Sequence, residues 1–240
     1  MADHFLGNEI EGPESGWPEV CVDPMMLERA VAGLRTEGLA VEPEALPLPV
    51  LVALRDDLEA HGADEFSRAG VGREVSHQTR PDIRSDRIVW LDADRPATRW
   101  LFAWVEQLRL ELNRQLFLGL FDYECHYAWY PQGAFYKVHL DAFRGGGNRV
   151  VSTVLYLNED WVPGDGGELV VYKARPADEP FVSATVLAVV EPRMGTLAVF
   201  LSEEMPHEVL PTNRTRYSVA GWYRLNANGG PMVDPPLLNV

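Results

Sequence analysis

The feature that most constrains this chain is a change of hydrophobic period near Glu124. Before it, apolar residues recur at helical spacing; after it, short alternating runs are separated by Gly, Pro and Asn. Tyr123–Trp129, Ala134–Leu140, Arg149–Leu157, Glu168–Tyr172, Val186–Val190, Gly195–Phe200, His207–Leu210 and Arg214–Tyr223 read as strands. Gly145-Gly-Gly-Asn148, Pro163-Gly-Asp-Gly-Gly167 and Pro211-Thr-Asn213 read as turns between them. A strand turns alternate side chains to opposite faces, so each run has one face to bury against a second sheet. Many short strands with this punctuation predict a sandwich or jelly roll.

The first half supplies helices. Asp23 can cap a helix that Pro24 opens and that runs through Leu27, Val31 and Leu34 to a stop near Gly38. Leu39-Ala-Val41 reads as a short strand. A second helix is predicted from Pro49 to Ala60, with Val50, Leu51, Leu54 and Leu58 on its apolar stripe and Gly62 beyond its end. The longest helical pattern runs from Pro96 to Leu118, where Trp100, Leu101, Trp104, Leu108 and Leu112 recur at core-facing spacing. Arg87–Leu91 is strand-like, and polar Ala63–Asp86 reads as a long loop or mobile hairpin. The expected organisation is a loose arm over 1–22, one domain over 23–226 and an irregular tail over 227–240. Within that domain, 23–120 would be helical support and 123–226 the β core.

A chain of 240 residues can bury one sizeable core. Its net charge of −15 disfavours non-specific binding to nucleic acid or anionic membranes. Cys21 and Cys125 lack disulfide or zinc spacing and read as reduced thiols. The first residues lack the basic and apolar regions of a secretory signal, and no apolar run reaches the roughly 18–20 residues of a membrane span. The expectation is a cytoplasmic monomer with no nucleic-acid or membrane partner.

Chemistry is concentrated in the β half. His139-Leu-Asp141 ends a predicted strand before a Gly-rich loop, His207 begins another, and Arg216 starts the next. Residues i and i+2 of a strand share a face, and two imidazoles with one carboxylate form the facial set of non-haem Fe(II) oxygenases. His-x-Asp alone is weak; the downstream His and Arg, in order, strengthen it. With Arg216 inward, Ser218, Ala220 and Trp222 share its face, leaving space beside the guanidinium. Tyr156 likewise shares a face with Ser152 and Val154. A buried Arg needs an anionic partner, and a bound dicarboxylate would provide it. His4, His61, His77 and His126 have no ligand spacing and read as structural or solvated.

Several motifs then carry a resemblance over roughly Gly38 to Asn226. They are Asp82-Ile-Arg-Ser-Asp-Arg-Ile-Val-Trp90, Tyr130-Pro, Tyr136-Lys-Val-His139-Leu-Asp141 and Val154-Leu-Tyr-Leu-Asn-Glu-Asp-Trp161. Gly166-Gly-Glu-Leu169, Pro206-His-Glu-Val209 and Thr215-Arg-Tyr217 with Trp222 complete the set. The chain resembles the prolyl-hydroxylase branch of the Fe(II)/2-oxoglutarate-dependent dioxygenases, in the group containing the hypoxia-inducible-factor prolyl hydroxylases and their bacterial relatives. The resemblance implies an α+β fold with a mainly β core, a double-stranded β-helix (jelly roll) flanked by N-terminal helices.

The same resemblance implies that His139, Asp141 and His207 bind iron as the catalytic set. Arg216 and Tyr156 would hold the distal carboxylate of 2-oxoglutarate, with Tyr130, Tyr136, Leu169 and Trp222 lining the pocket. Arg149 and Asp86 would lie near the substrate groove as an ion pair, with Trp90 as a wall. Fe(II), 2-oxoglutarate and O2 are the expected cofactors, with ascorbate as a reductant. The implied reaction is hydroxylation of a prolyl residue exposed on a loop of a protein, such as a translation component, with release of succinate and CO2. Asp141 argues against a halogenating relative, which lacks that carboxylate. The shorter Tyr130–Tyr136 loop and the different Ala63–Arg80 segment depart from the animal enzymes and leave the substrate open. A hydroxylase of a free amino acid or other small molecule, and a cupin-like binding module without turnover, are the alternatives.

Overall fold

The computed structural model describes residues 22–69, 82–142, 148–174 and 185–226. Residues 1–21 of the arm, the tail and half of the Ala63–Asp86 segment lie outside these residues, as do Cys21, His4 and His77.

The N-terminal elements follow their end signals. Helix α1 spans Pro24–Glu37; the Asp23 carboxylate accepts from the Met25 amide, and Gly38 closes the helix at φ 72°. An L side chain is strained there, so glycine is the residue that lets the chain turn directly into strand β1, Leu39–Glu42. Helix α2 is Leu48–Ala60 and helix α3 is Pro96–Leu116. The longest helix stops two residues before the sequence expectation because Phe117 turns left-handed at φ 54°. Beyond it the Asn113 side chain donates to the Leu120 carbonyl and accepts from the Leu120 amide, replacing the next helical turn.

Two more strands precede α3: β2, Ser67–Arg68, and β3, Arg87–Trp90. The pair is antiparallel, so the described edges of the Ala63–Asp86 segment include a short strand as well as loop. Eight strands follow: β4 Asp122–Tyr130, β5 Tyr136–His139, β6 Arg149–Tyr156, β7 Leu169–Tyr172, β8 Val186–Val190, β9 Leu197–Leu201, β10 His207–Val209 and β11 Arg216–Arg224.

They form two antiparallel sheets, a large one ordered β1-β9-β6-β11-β4-β3-β2 and a small one ordered β5-β10-β7-β8. Strand alternation splits the interior into two cores. Tyr127, Val151, Val199 and Val219 pack outward with Val31, Leu54, Trp104 and Leu108 of the helices. Ala128, Tyr130, Tyr156, Leu169, Val171, Ala198 and Phe200 fill the space between the sheets. The helices therefore cover the outer face of the large sheet and leave its inner face to the small one. This is the jelly-roll core with flanking helices expected from the resemblance.

The Tyr-Leu-Asn element has a structural reason. Buried Asn158 donates to the carbonyls of Pro192 and Tyr217, at 2.8 and 2.9 Å, and accepts the Tyr217 amide at 2.6 Å. One side chain thus clamps the exit of β6 to the start of β11. Arg214 packs over the Trp161 ring, 5.1 Å from its centroid, and pairs with Asp165 at 3.3 Å, fixing the turn below.

Candidate active site

The small sheet brings His139 and His207 side by side. β5 and β10 pair with these two residues in register, and Asp141 lies two residues beyond the end of β5. Each histidine Nδ1 lies 2.9 Å from a carbonyl two residues upstream, Lys137 for His139 and Met205 for His207. A carbonyl only accepts, so each Nδ1 carries the proton and each Nε2 presents a lone pair. The two Nε2 atoms lie 3.5 and 3.6 Å from the two oxygens of Asp141. One ligand atom from each of the three residues falls within 4.8 Å of the others, a set able to hold a metal ion.

The neighbours stiffen this set. Tyr136 stacks on His139 at 3.6 Å between centroids and 14° between planes, and Phe200 meets His207 edge-on at 4.6 Å. Ser152 Oγ donates to Asp141 Oδ2 at 2.6 Å and lies 2.9 Å from the Ser202 hydroxyl. Burial alone would raise the Asp141 carboxyl, but the imidazoles of His207 and His139 and the Ser152 hydroxyl hold it well below the usual carboxylate range. Burial and the nearby His139 bring His207 down to about 4, so at neutral pH its Nε2 lone pair is free for a metal.

A second feature lies deeper between the sheets. Arg216 is 1% exposed. Its Nε donates to the Gly167 carbonyl at 2.9 Å and one Nη to Ser218 Oγ at 3.3 Å. The guanidinium lies 4.7 Å from the Tyr130 ring centroid and 5.0 Å from that of Tyr156. No carboxylate pairs with it among the described residues. Beside it the buried Tyr156 hydroxyl has no hydrogen-bond partner. Burial raises that phenol to about 12, so it keeps its proton. A buried cation and an idle hydroxyl donor are costly to leave unpaired, and a small-molecule carboxylate satisfies both. Gly167 makes the seat possible: at φ 68°, an added Cβ would meet Arg216 Cδ and Thr212 Cβ at 3.0 Å.

Leu169 is buried in the same inner core as Tyr130 and Tyr156. Buried Trp222, on the same face of β11, has the Arg149 guanidinium 3.6 Å above its ring and Trp90 6.3 Å away. The expected Arg149–Asp86 ion pair does not form. Arg84, two residues from Asp86, reaches it first with bonds of 2.8 and 2.6 Å. Arg149 instead pairs at 2.7 Å with Glu124, which also accepts from Arg224.

Sequence reasoning passed over three residues. Ser152 was already on Tyr156's face, so alternation could have flagged it as a partner for Asp141. Ser202 had no such signal. Arg84 lies 4.2 Å over Tyr136, within a motif read for Asp86 and Trp90 but not for Arg84. His126, read as structural or solvated, is buried on Tyr130's inward face, packed against Trp90 and Trp222 at 5.2 and 5.3 Å, in keeping with the structural reading.

The comparisons agree with this geometry. Residues 125–224 match the model of the 2OG-Fe(II) oxygenase superfamily. A solved Pseudomonas putida prolyl-4-hydroxylase shares 43% identity over 84% of this chain and 100% of its own, with a TM-score of 0.73. A Trichoplax adhaerens prolyl hydroxylase, solved with a hypoxia-inducible-factor peptide fragment, shares 27% identity over 83% of this chain and 89% of its own, with a TM-score of 0.71. Egl nine homolog 1 of Rattus norvegicus is 28% identical over 83% of this chain and 59% of its own length. The chain thus spans between 46% and 59% of the length of the rat, mouse and human relatives of that name. By fold, motif order and similarity to the bacterial enzyme over that enzyme's whole length, the chain belongs to the prolyl hydroxylase family of the 2OG-Fe(II) oxygenase superfamily.

Proposed function

We propose that the chain hydroxylates a prolyl residue within a polypeptide, using Fe(II), 2-oxoglutarate and O2. The observation that carries this reading is the buried Arg216 guanidinium, without a carboxylate among the described residues and beside the idle Tyr156 hydroxyl. In this reading His139, Asp141 and His207 hold the iron. Arg216 and Tyr156 take the distal carboxylate of 2-oxoglutarate, while Tyr130, Tyr136, Leu169 and Trp222 shape its channel. Iron with 2-oxoglutarate and O2 supplies the oxidising chemistry, ending in succinate, CO2 and a hydroxylated substrate.

The protein's part is positional. The Nδ1 bonds of His139 and His207 to main-chain carbonyls fix both rings, and Ser152 fixes one oxygen of Asp141. The aromatic walls around Arg216 exclude water and keep its charge effective. The Trichoplax relative solved with a peptide fragment supports a protein substrate, and a component of the translation machinery is the class we favour. Ascorbate would serve as an external reductant.

The test is a panel of proline-containing peptides and free amino acids, supplied with Fe(II), 2-oxoglutarate and O2 and read by mass for the gain of one oxygen. Gain on proline within a peptide supports the reading. Gain on free amino acids alone, or no succinate under any condition, overturns it.

A further inference from the structure

The inner wall of the large sheet carries an imidazole that neither the metal cluster nor the carboxylate seat uses. His126 sits on β4, directly across from Ala220 on β11 and Trp90 on β3. Its ring meets Trp90 edge-on at 5.2 Å and Trp222 at 5.3 Å, forming a three-ring notch. Trp90 is 53% exposed, so the notch opens outward on that side.

The tautomer is readable from the contacts. His126 Nδ1 has one partner, the Tyr127 carbonyl at 3.3 Å, which only accepts, so Nδ1 carries the proton. Nε2 therefore presents a lone pair. It has no hydrogen-bond partner among the described residues, and the residue as a whole is 3% exposed. Burial, with the positive charge of Arg84 next, lowers the ring to about 4 and keeps it neutral at neutral pH. The charged groups around it are engaged elsewhere: Arg84 with Asp86, and Arg149 with Glu124.

Register locates the notch relative to the metal set. Trp222 lies across from Ser152, whose hydroxyl holds Asp141, while Ala220 and His126 lie one inward row along the sheet. Two residues of strand and two strand spacings separate the backbones of Ser152 and His126 by roughly 12 Å. An extended peptide covers that in three to four residues, at about 3.3–3.6 Å each. Proline has no amide N–H, so a hydrogen bond to Nε2 must come from one of its neighbours.

We propose that His126 Nε2 accepts a hydrogen bond from a main-chain N–H of the substrate, within about three residues of the target proline, so that the enzyme reads the peptide backbone as well as the proline ring. This rests on the peptide-hydroxylase reading above. It makes His126 a specificity residue with no part in holding iron or 2-oxoglutarate.

The test is an ester scan of a hydroxylated peptide, replacing one N–H near the proline at a time by oxygen, with the wild type, His126→Met and His126→Gln. Met fills the notch without an acceptor, and Gln restores one. At one position the ester raises the wild-type KM about five- to tenfold, while His126→Met shows no further loss there. His126→Gln recovers part of the sensitivity. Mn(II) affinity stays unchanged in both variants, which reports an intact fold. If peptides are hydroxylated but every ester acts equally on wild type and His126→Met, the His126 contact is wrong and the hydroxylase reading stands. If the wild type hydroxylates no prolyl peptide, that reading falls and takes this contact with it.

Discussion

At the scale of single residues, the site depends on hydrogen bonds that settle which atoms remain free. Main-chain carbonyls occupy Nδ1 of both histidines, and Ser152 occupies one oxygen of Asp141. Ser202 in turn braces Ser152 at 2.9 Å. Removing the Ser152 hydroxyl leaves Asp141 free to rotate, so Ser152→Ala should weaken Mn(II) or Co(II) binding by about 10–100-fold. Isothermal titration of the metal-free protein would measure this, with unchanged thermal unfolding as the control; unaltered affinity would remove Ser152 from the account. The ligands themselves were legible because strand spacing and chain order constrain them. The Arg149–Asp86 pair was misread because charges of opposite sign do not announce their geometry. Arg84, two residues from Asp86, outcompeted a partner on another strand.

At the scale of elements, caps and clamps explain the boundaries. Hydrophobic period located the three helices, and Asp23 and Gly38 marked the ends of α1 as their side-chain chemistry requires. The end of α3 was misplaced because a left-handed Phe117 and the Asn113 side chain carry no compositional signal. The Tyr-Leu-Asn-Glu-Asp-Trp element, read at first as a family marker, proves to be a joint. Asn158 alone makes three bonds across it. Replacing it strands buried main-chain groups, so Asn158→Ala should lower stability by about 2–4 kcal/mol, measurable by urea unfolding. A change below about 0.5 kcal/mol would show that the joint is held elsewhere.

At the scale of the molecule, two sheets and a helical layer divide the work. Helices fill the outer face of the large sheet, which leaves the inner face to small residues, aromatic walls and one buried arginine. Strand alternation made that division readable, since Arg216, Ser218, Ala220 and Trp222 fall on one face by count alone. The pairing order of the sheets was not readable, because long-range register depends on contacts between distant segments.

The central proposal is that Arg216, which has no carboxylate partner among the described residues, keeps its charge for the carboxylate of 2-oxoglutarate. The direct measurement is the equilibrium affinity of the Mn(II)-loaded protein for 2-oxoglutarate without O2, comparing the wild type with Arg216→Gln. Loss of a buried charge-assisted pair should weaken binding by roughly 10–150-fold while Mn(II) affinity is retained. Equal 2-oxoglutarate affinity in the two proteins would contradict the account.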